Sequence, residues 1–222
     1  EKAPKIAIYS PNNKQPWDDA VTLALTYAEI PYEVIYDEEV LSNLLPLYDW
    51  LHLHHEDFTG QYGKFYASFK NATWYKDQKR DYEILAKKLG YEKVSTEKLA
   101  VAKKIKEFVN GGGFLFAMCS ATDSYDIALA AEGLDICGPM FDGDAADPSA
   151  QEKLDFSKTL AFKNFSLVKN PNQYEFSSID ATQKRRLNAK IDFFTLFDFS
   201  AKWDPVPTML CQNHMQVIKG FM

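Results

Sequence analysis

The chain has 222 residues, of which 46% are hydrophobic and 25% charged. This composition is typical of one globular domain with a substantial core. The net charge of −6 and the lack of a basic stripe exclude nucleic acid as an expected partner. No apolar run approaches the ~18 residues that a membrane-spanning helix requires, so no membrane span is expected.

The three cysteines are Cys119, Cys137 and Cys211, an odd number without CxxC spacing. This pattern indicates neither a disulfide framework nor a zinc cluster. The sequence starts Glu-Lys-Ala-Pro, directly before a predicted strand, and ends two residues after Lys-Gly. We therefore expect residues 1–222 to form a single α/β domain within a longer chain. We expect export to the periplasm if that longer chain carries an export signal, and a cytoplasmic location otherwise.

The first 54 residues alternate between two kinds of hydrophobic period. Short apolar runs predict strands over residues 5–9, 32–36 and 49–54. Helical periods, the first with acidic residues in its first turn, predict helices over residues 17–30 and 37–45. Alternation at this spacing is typical of βαβ units, which give a parallel sheet with right-handed crossovers.

Residues 56–79 interrupt this alternation. The segment contains Gly60, Gly63 and seven aromatic residues but few aliphatic ones, which indicates an inserted aromatic loop or lid. Helices are predicted next over residues 79–89 and 96–110, the second capped by Ser95 or Thr96.

A fourth strand over residues 114–118 and a helix over 123–132 complete the regular part, with Asp123 as the expected N-cap. Residues 134–222 are less regular. They contain an acidic loop over 142–147, which we interpret as solvated, with calcium binding as the alternative. Short strands are predicted at four places: residues 160–162, 165–168, 207–211 and 216–219.

Cys119 follows the fourth strand and precedes a helix. A thiol at this position meets unsatisfied backbone N–H groups and the positive end of the helix dipole, which favour the thiolate. The backbone N–H of Ser120 is then a candidate oxyanion donor. The alternative is that Cys119 is a small buried apolar residue.

Three of the four histidines lie in the hexapeptide His52-Leu-His-His-Glu-Asp57, at the end of the third strand. We expect His54 to be a candidate general base and Glu56 its orienting carboxylate. His52, His55 and Asp57 are candidate ligand- or metal-binding residues, and a divalent metal is the candidate cofactor of the 54–57 cluster. The alternative is that His52 is a satisfied interior residue.

His214, after a late predicted strand, is a second candidate base. The turn Ala117-Met-Cys119-Ser-Ala121 resembles the Gly-x-Cys-x-Gly turn of the class I glutamine amidotransferase-like superfamily, and residues 5–135 resemble it in element order. The resemblance implies a flavodoxin-like three-layer sandwich with a mostly parallel central sheet. Both glycines of the turn are alanine here, and His214-Met-Gln216 stands where the superfamily has His-x-Glu.

The segment from Asp49 to Gly60 also resembles Bacteroidetes proteins labelled asparagine synthetase B. The N-terminal cysteine and Ser-Gly-Gly-x-Asp-Ser loop of glutamine-dependent asparagine synthetases do not occur in this sequence. The resemblances together imply a cysteine-dependent amidase or hydrolase acting on a small molecule. The alternative is a ThuA-like domain that shares the fold without a required cysteine and binds a ligand, a carbohydrate or a metal.

Overall fold

The computed structural model describes residues 3–11 and 20–179. The first half contains three strands and two helices in the predicted order: β1 Ile6–Tyr9, α1 Ala20–Tyr27, β2 Tyr32–Ile35, α2 Asp37–Leu41 and β3 Trp50–Leu53. A 3₁₀ turn at Leu45–Leu47 replaces the last part of the predicted second helix. The α-helix ends before this turn, where Asn43 has a left-handed φ angle of +64° and the N–H groups of Asn43 and Leu44 donate to the last carbonyls of the helix.

The second half continues with one strand and six helices: α3 Tyr66–Phe69, α4 Thr73–Lys88, α5 Val94–Asn110, β4 Phe114–Ala117, α6 Ala121–Ala130, α7 Pro139–Asp142 and α8 Ala150–Lys153. The predicted insert over residues 56–79 therefore contains a 3₁₀ turn at Tyr62–Lys64, α3 and the first part of α4. That the insert acts as a lid stays a prediction.

Both predicted helix caps were wrong. Lys93 is the N-cap of α5, and the Thr96 hydroxyl donates to the Lys93 carbonyl at 2.7 Å from within the first turn. Ser120 is the N-cap of α6. Asp123 lies in the first turn of that helix, where it is buried and accepts a hydrogen bond from Ser177 Oγ at 3.2 Å.

The four described strands form an all-parallel sheet in the order β2-β1-β3-β4. The chain builds outward from β1 to β2 and then returns to the other side of β1 for β3. Residues from α2, α5 and α6 pack with Leu51 and Leu53 on one face of the sheet, and Leu25 of α1 packs on Ile6 and Ile8 on the other. The chain is thus α/β, consistent with a flavodoxin-like sandwich.

Residues 160–168 do not form the two predicted strands. Within the described residues, the pairing of this region is an isolated antiparallel bridge between Leu167 and Ser177. The buried carboxylate of Asp126 on α6 accepts hydrogen bonds from the backbone N–H groups of residues 160, 161 and 162, at 2.7–2.8 Å. Because these donors bind a helix side chain, they are not available to a strand ladder.

The predicted strands at 207–211 and 216–219 lie outside the described residues, as does His214. Among the helices that are described, none combines the length and the apolar character needed to cross a membrane.

Candidate functional site

A cleft of about 380 Å³ lies at the carboxyl edge of the sheet. Tyr9 ends β1, while Tyr36, His54 and Cys119 follow the ends of β2, β3 and β4, and all four line the cleft. The order of the strands reverses between β1 and β3, and ligands of open α/β sheets bind at the carboxyl side of such a switch point. The fold therefore places the predicted cysteine and histidines at the edge where a ligand would enter.

Cys119 lies on a sharp turn between β4 and α6. Its φ angle is +50°, in the left-handed region, and its side chain is exposed. The turn is held by hydrogen bonds from Met118 N to Leu53 O at 3.0 Å and from Thr122 N to Cys119 O at 3.1 Å. A left-handed non-glycine residue in a strand-to-helix turn is the geometry of a nucleophile elbow, which presents its side chain above the sheet. The alternative interpretation of Cys119 as a small buried apolar residue was therefore wrong.

We expect Cys119→Gly to be more stable than Cys119→Ala by about 1 kcal/mol, because only glycine relieves the left-handed strain. The measurement is urea unfolding of both variants. The control is the pair of variants Cys137→Gly and Cys137→Ala at a buried cysteine. There we expect the glycine variant to be less stable than the alanine variant. Equal stability of the two Cys119 variants would contradict a strained turn.

The three clustered histidines form a row that starts inside the sheet and ends in the cleft. His52 is fully buried and its ring stacks on Phe116, with centroids 5.5 Å apart. The ring of His54 lies 6.1 Å from that of His52 and 3.5 Å from that of His55. His54 and His55 line the cleft together with Cys119.

Glu56 and Asp57 shape the turn that follows β3. The Glu56 carboxylate accepts a hydrogen bond from the backbone N–H of His54 at 2.7 Å. Asp57 accepts hydrogen bonds from the backbone N–H groups of Thr59 and Gly63 at 2.7 and 2.9 Å. Burial raises the pKa of Asp57, although these hydrogen bonds lower it. The Asp57 carboxylate therefore organises the start of the insert.

Two serines of α6 attach this turn to the cysteine. Ser120 Oγ donates to the carbonyl of His55 at 2.7 Å, and Ser124 Oγ donates to the carbonyl of Glu56 at 3.1 Å. The residues after β3 and the turn after β4 are thereby held as one unit. At the start of α6, the N–H groups of Ala121 and Thr122 already donate to the carbonyls of Met118 and Cys119, both at 3.1 Å. The N–H of Ser120 is therefore the candidate donor to a negatively charged oxygen at this helix end.

The floor of the cleft contains a buried ion pair that sequence reasoning missed. Lys98 Nζ on α5 donates to Asp37 Oδ2 at 2.6 Å and to the hydroxyls of Tyr9 and Tyr36, both at 2.9 Å. The Tyr9 hydroxyl also donates to Asp37 Oδ1. One signal was present in the sequence: Lys98 shares the apolar stripe of its helix with Val101 and other buried residues.

Within the described residues, the group of side chains spaced closely enough to hold a metal is Asp135, Cys137 and Asp142. Lys93 Nζ lies among these acids, 2.6 Å from Asp135 Oδ2, 2.9 Å from Asp142 Oδ2 and 2.6 Å from Asp144. The Cys137 thiol donates to the carbonyl of Thr59 at 3.2 Å, and burial raises its pKa. A lysine ammonium thus already pairs with the carboxylates of this group.

No protein-family model matches the chain, and searches of curated proteins and of solved structures also give no match.

Proposed function

We propose that the chain is a class I glutamine amidotransferase-like domain with a cysteine-dependent amidase or hydrolase site. The observation that supports this proposal is the left-handed, exposed Cys119 in the same cleft as the closely spaced rings of His54 and His55. A strained backbone at an exposed thiol is expected at a functional site, because strain that serves no purpose is readily removed by glycine.

In this proposal the Cys119 thiolate attacks the carbonyl carbon of a carboxamide or a related acyl group. His54 accepts the thiol proton and then delivers it to the leaving amine, and Glu56 orients the turn that carries His54. His214 is the alternative base. The N–H of Ser120 stabilises the oxyanion, since the helix dipole and an unsatisfied donor coincide there. Water then hydrolyses the thioester.

We expect iodoacetamide to label Cys119 at neutral pH at least tenfold faster than it labels a cysteine in an unfolded peptide. The physical reason is the N-terminus of α6, which favours the thiolate. The rate at each cysteine is measured by mass spectrometry of the digested protein between pH 5.5 and 9. The midpoint of the rate for Cys119 is expected below the ~8.5 of an ordinary thiol.

The chain contains its own control, because Cys137 is buried and should remain unlabelled until the protein unfolds. The His54→Asn variant should slow labelling of Cys119 near neutral pH by removing the base. A Cys119 that reacts no faster than the peptide, or that is protected in the folded protein, would refute the proposed nucleophile.

The second candidate function is the binding of a ligand without catalysis, as in a ThuA-like domain. The observation that favours it is the aromatic wall of the cleft, to which the insert contributes Tyr62 and Phe65. A carbohydrate is the candidate ligand, because the described residues spaced closely enough to hold a metal, Asp135, Cys137 and Asp142, do not line this cleft. Binding of a disaccharide to the purified protein, measured by calorimetry, together with labelling of Cys119 no faster than that of the peptide, distinguishes this function from hydrolysis.

A further inference from the structure

The cleft extends well beyond the cysteine. Cys119 follows β4, whereas Tyr36 follows β2, and three strand spacings separate these strands. At about 4.8 Å per spacing, the two ends of the cleft lie roughly 14 Å apart. A ligand that fills the cleft is therefore longer than a free amino acid, and its far part lies over β2.

The far end of the cleft presents side chains from β2, α4 and α5. We call it the distal subsite and define it by Tyr36, Gln78, Tyr82 and Lys98, all of which line the cleft. Lys98 and Tyr36 are buried, at 2% and 5% exposure. Polar groups this deeply buried require fixed partners, so the hydrogen bonds of the subsite determine what it can bind.

The subsite offers no cation to an anionic ligand. An ammonium has three N–H donors, and those of Lys98 are taken by Tyr9, Tyr36 and Asp37. The charge of Lys98 is balanced by that of Asp37 at 2.6 Å. An anionic ligand group would receive no hydrogen bond from Lys98 and would be repelled by the Asp37 carboxylate. A cationic group would be repelled by the Lys98 ammonium. The floor therefore favours an uncharged group.

One donor and one acceptor remain at the subsite. The Tyr82 hydroxyl oxygen accepts a hydrogen bond from Gln78 Nε2 at 3.1 Å, which leaves its own proton to donate. Gln78 Oε1 is buried and accepts no hydrogen bond from the part of the chain that is described. Leaving a buried acceptor unsatisfied is unfavourable, so a ligand group that donates to it would be stabilised.

We propose that the distal subsite binds a neutral, hydroxyl-bearing sugar ring of the substrate whose acyl group lies at Cys119. A hydroxyl is donor and acceptor on one atom, so it can accept from Tyr82 and donate to Gln78. The aromatic side chains along the cleft, Tyr62, Phe65 and Tyr174, supply apolar surface for the faces of the ring. This inference rests on the proposed function and specifies its substrate class.

The test is isothermal titration calorimetry of the Cys119→Ala variant, which cannot turn over a substrate. The probes are three disaccharides of similar size: neutral N,N′-diacetylchitobiose, its cationic deacetylated form and anionic cellobiuronic acid. We expect the neutral probe to bind at least tenfold more tightly than either charged probe. Adding Tyr82→Phe or Gln78→Leu should weaken its binding about tenfold each, whereas Tyr27→Phe, at an exposed tyrosine, should not change it.

Equal binding of the three probes, no binding of the neutral one, or affinity unchanged by Tyr82→Phe would overturn the subsite. Preference for a neutral dipeptide amide over the disaccharide would overturn the sugar assignment. Labelling of wild-type Cys119 by iodoacetamide reports separately on the proposed function, because this small reagent does not need the distal subsite. Fast labelling without sugar binding refutes the subsite alone, and sugar binding without fast labelling refutes the nucleophile alone.

Discussion

Lys98→Met is expected to lower the free energy of unfolding by about 3–5 kcal/mol, because it leaves the Asp37 carboxylate buried without its cation. Both side chains are almost fully buried, at 3% and 1% exposure. Burial alone would lower the pKa of Lys98, but Asp37 and its other neighbours raise it well above the usual value, so the lysine is charged. Urea unfolding at pH 7 measures the loss.

A second variant separates lost charge pairing from lost packing. Lys98→Met combined with Asp37→Asn removes both charges, and the asparagine can still accept from the Tyr9 hydroxyl. We expect the double variant to recover at least half of the stability lost by Lys98→Met. A double variant less stable than Lys98→Met would contradict the charge argument.

The matched control is Lys88→Met. Lys88 also pairs with a carboxylate of α2, that of Glu38, but the two side chains are 64% and 39% solvent-exposed. Exposed pairs contribute about 0–1 kcal/mol, so this variant should unfold close to the wild type.

Glu97→Gln is expected to make the protein more stable at pH 8.5, by about 2–4 kcal/mol, and to flatten its dependence on pH. Burial raises the pKa of Glu97 from 4.5 to about 8, while the neighbouring Lys98 lowers it and Asp37 raises it. Between these values the folded protein holds a proton that the unfolded chain releases. Stability from this group is therefore present below pH 4.5 and is lost as the pH rises towards 8.

The measurement is the midpoint of urea unfolding from pH 5 to 8.5 for the wild type and Glu97→Gln. The difference between the two proteins should grow with pH, since glutamine resembles the protonated acid and does not ionise. Glu92→Gln, at an exposed residue just before the same helix, is the control and should follow the wild type. A constant difference across this range would contradict a buried, protonated Glu97.

The turn around Cys119 shows how much of the candidate site can be predicted from the sequence. An apolar run followed by small residues predicted a strand that delivers the cysteine to a helix, and β4 and α6 have that arrangement. The φ angle of +50° at Cys119 could not be predicted, because it depends on the Met118–Leu53 hydrogen bond to another strand. Likewise, the close approach of the His54 and His55 rings depends on how the turn after β3 is tied to Ser120 and Ser124.

The alternation of hydrophobic periods by itself determined that the chain is α/β with parallel strands, because hydrophobic periodicity is a local property that consecutive residues define. It also placed Cys119 and His54 at one edge of the sheet. Only the tertiary structure decided the partners of the buried polar groups, such as Lys98 and Tyr9, which are 89 residues apart. A polar side chain is stabilised inside a protein by donors and acceptors from distant elements, and local sequence does not encode which ones will meet it.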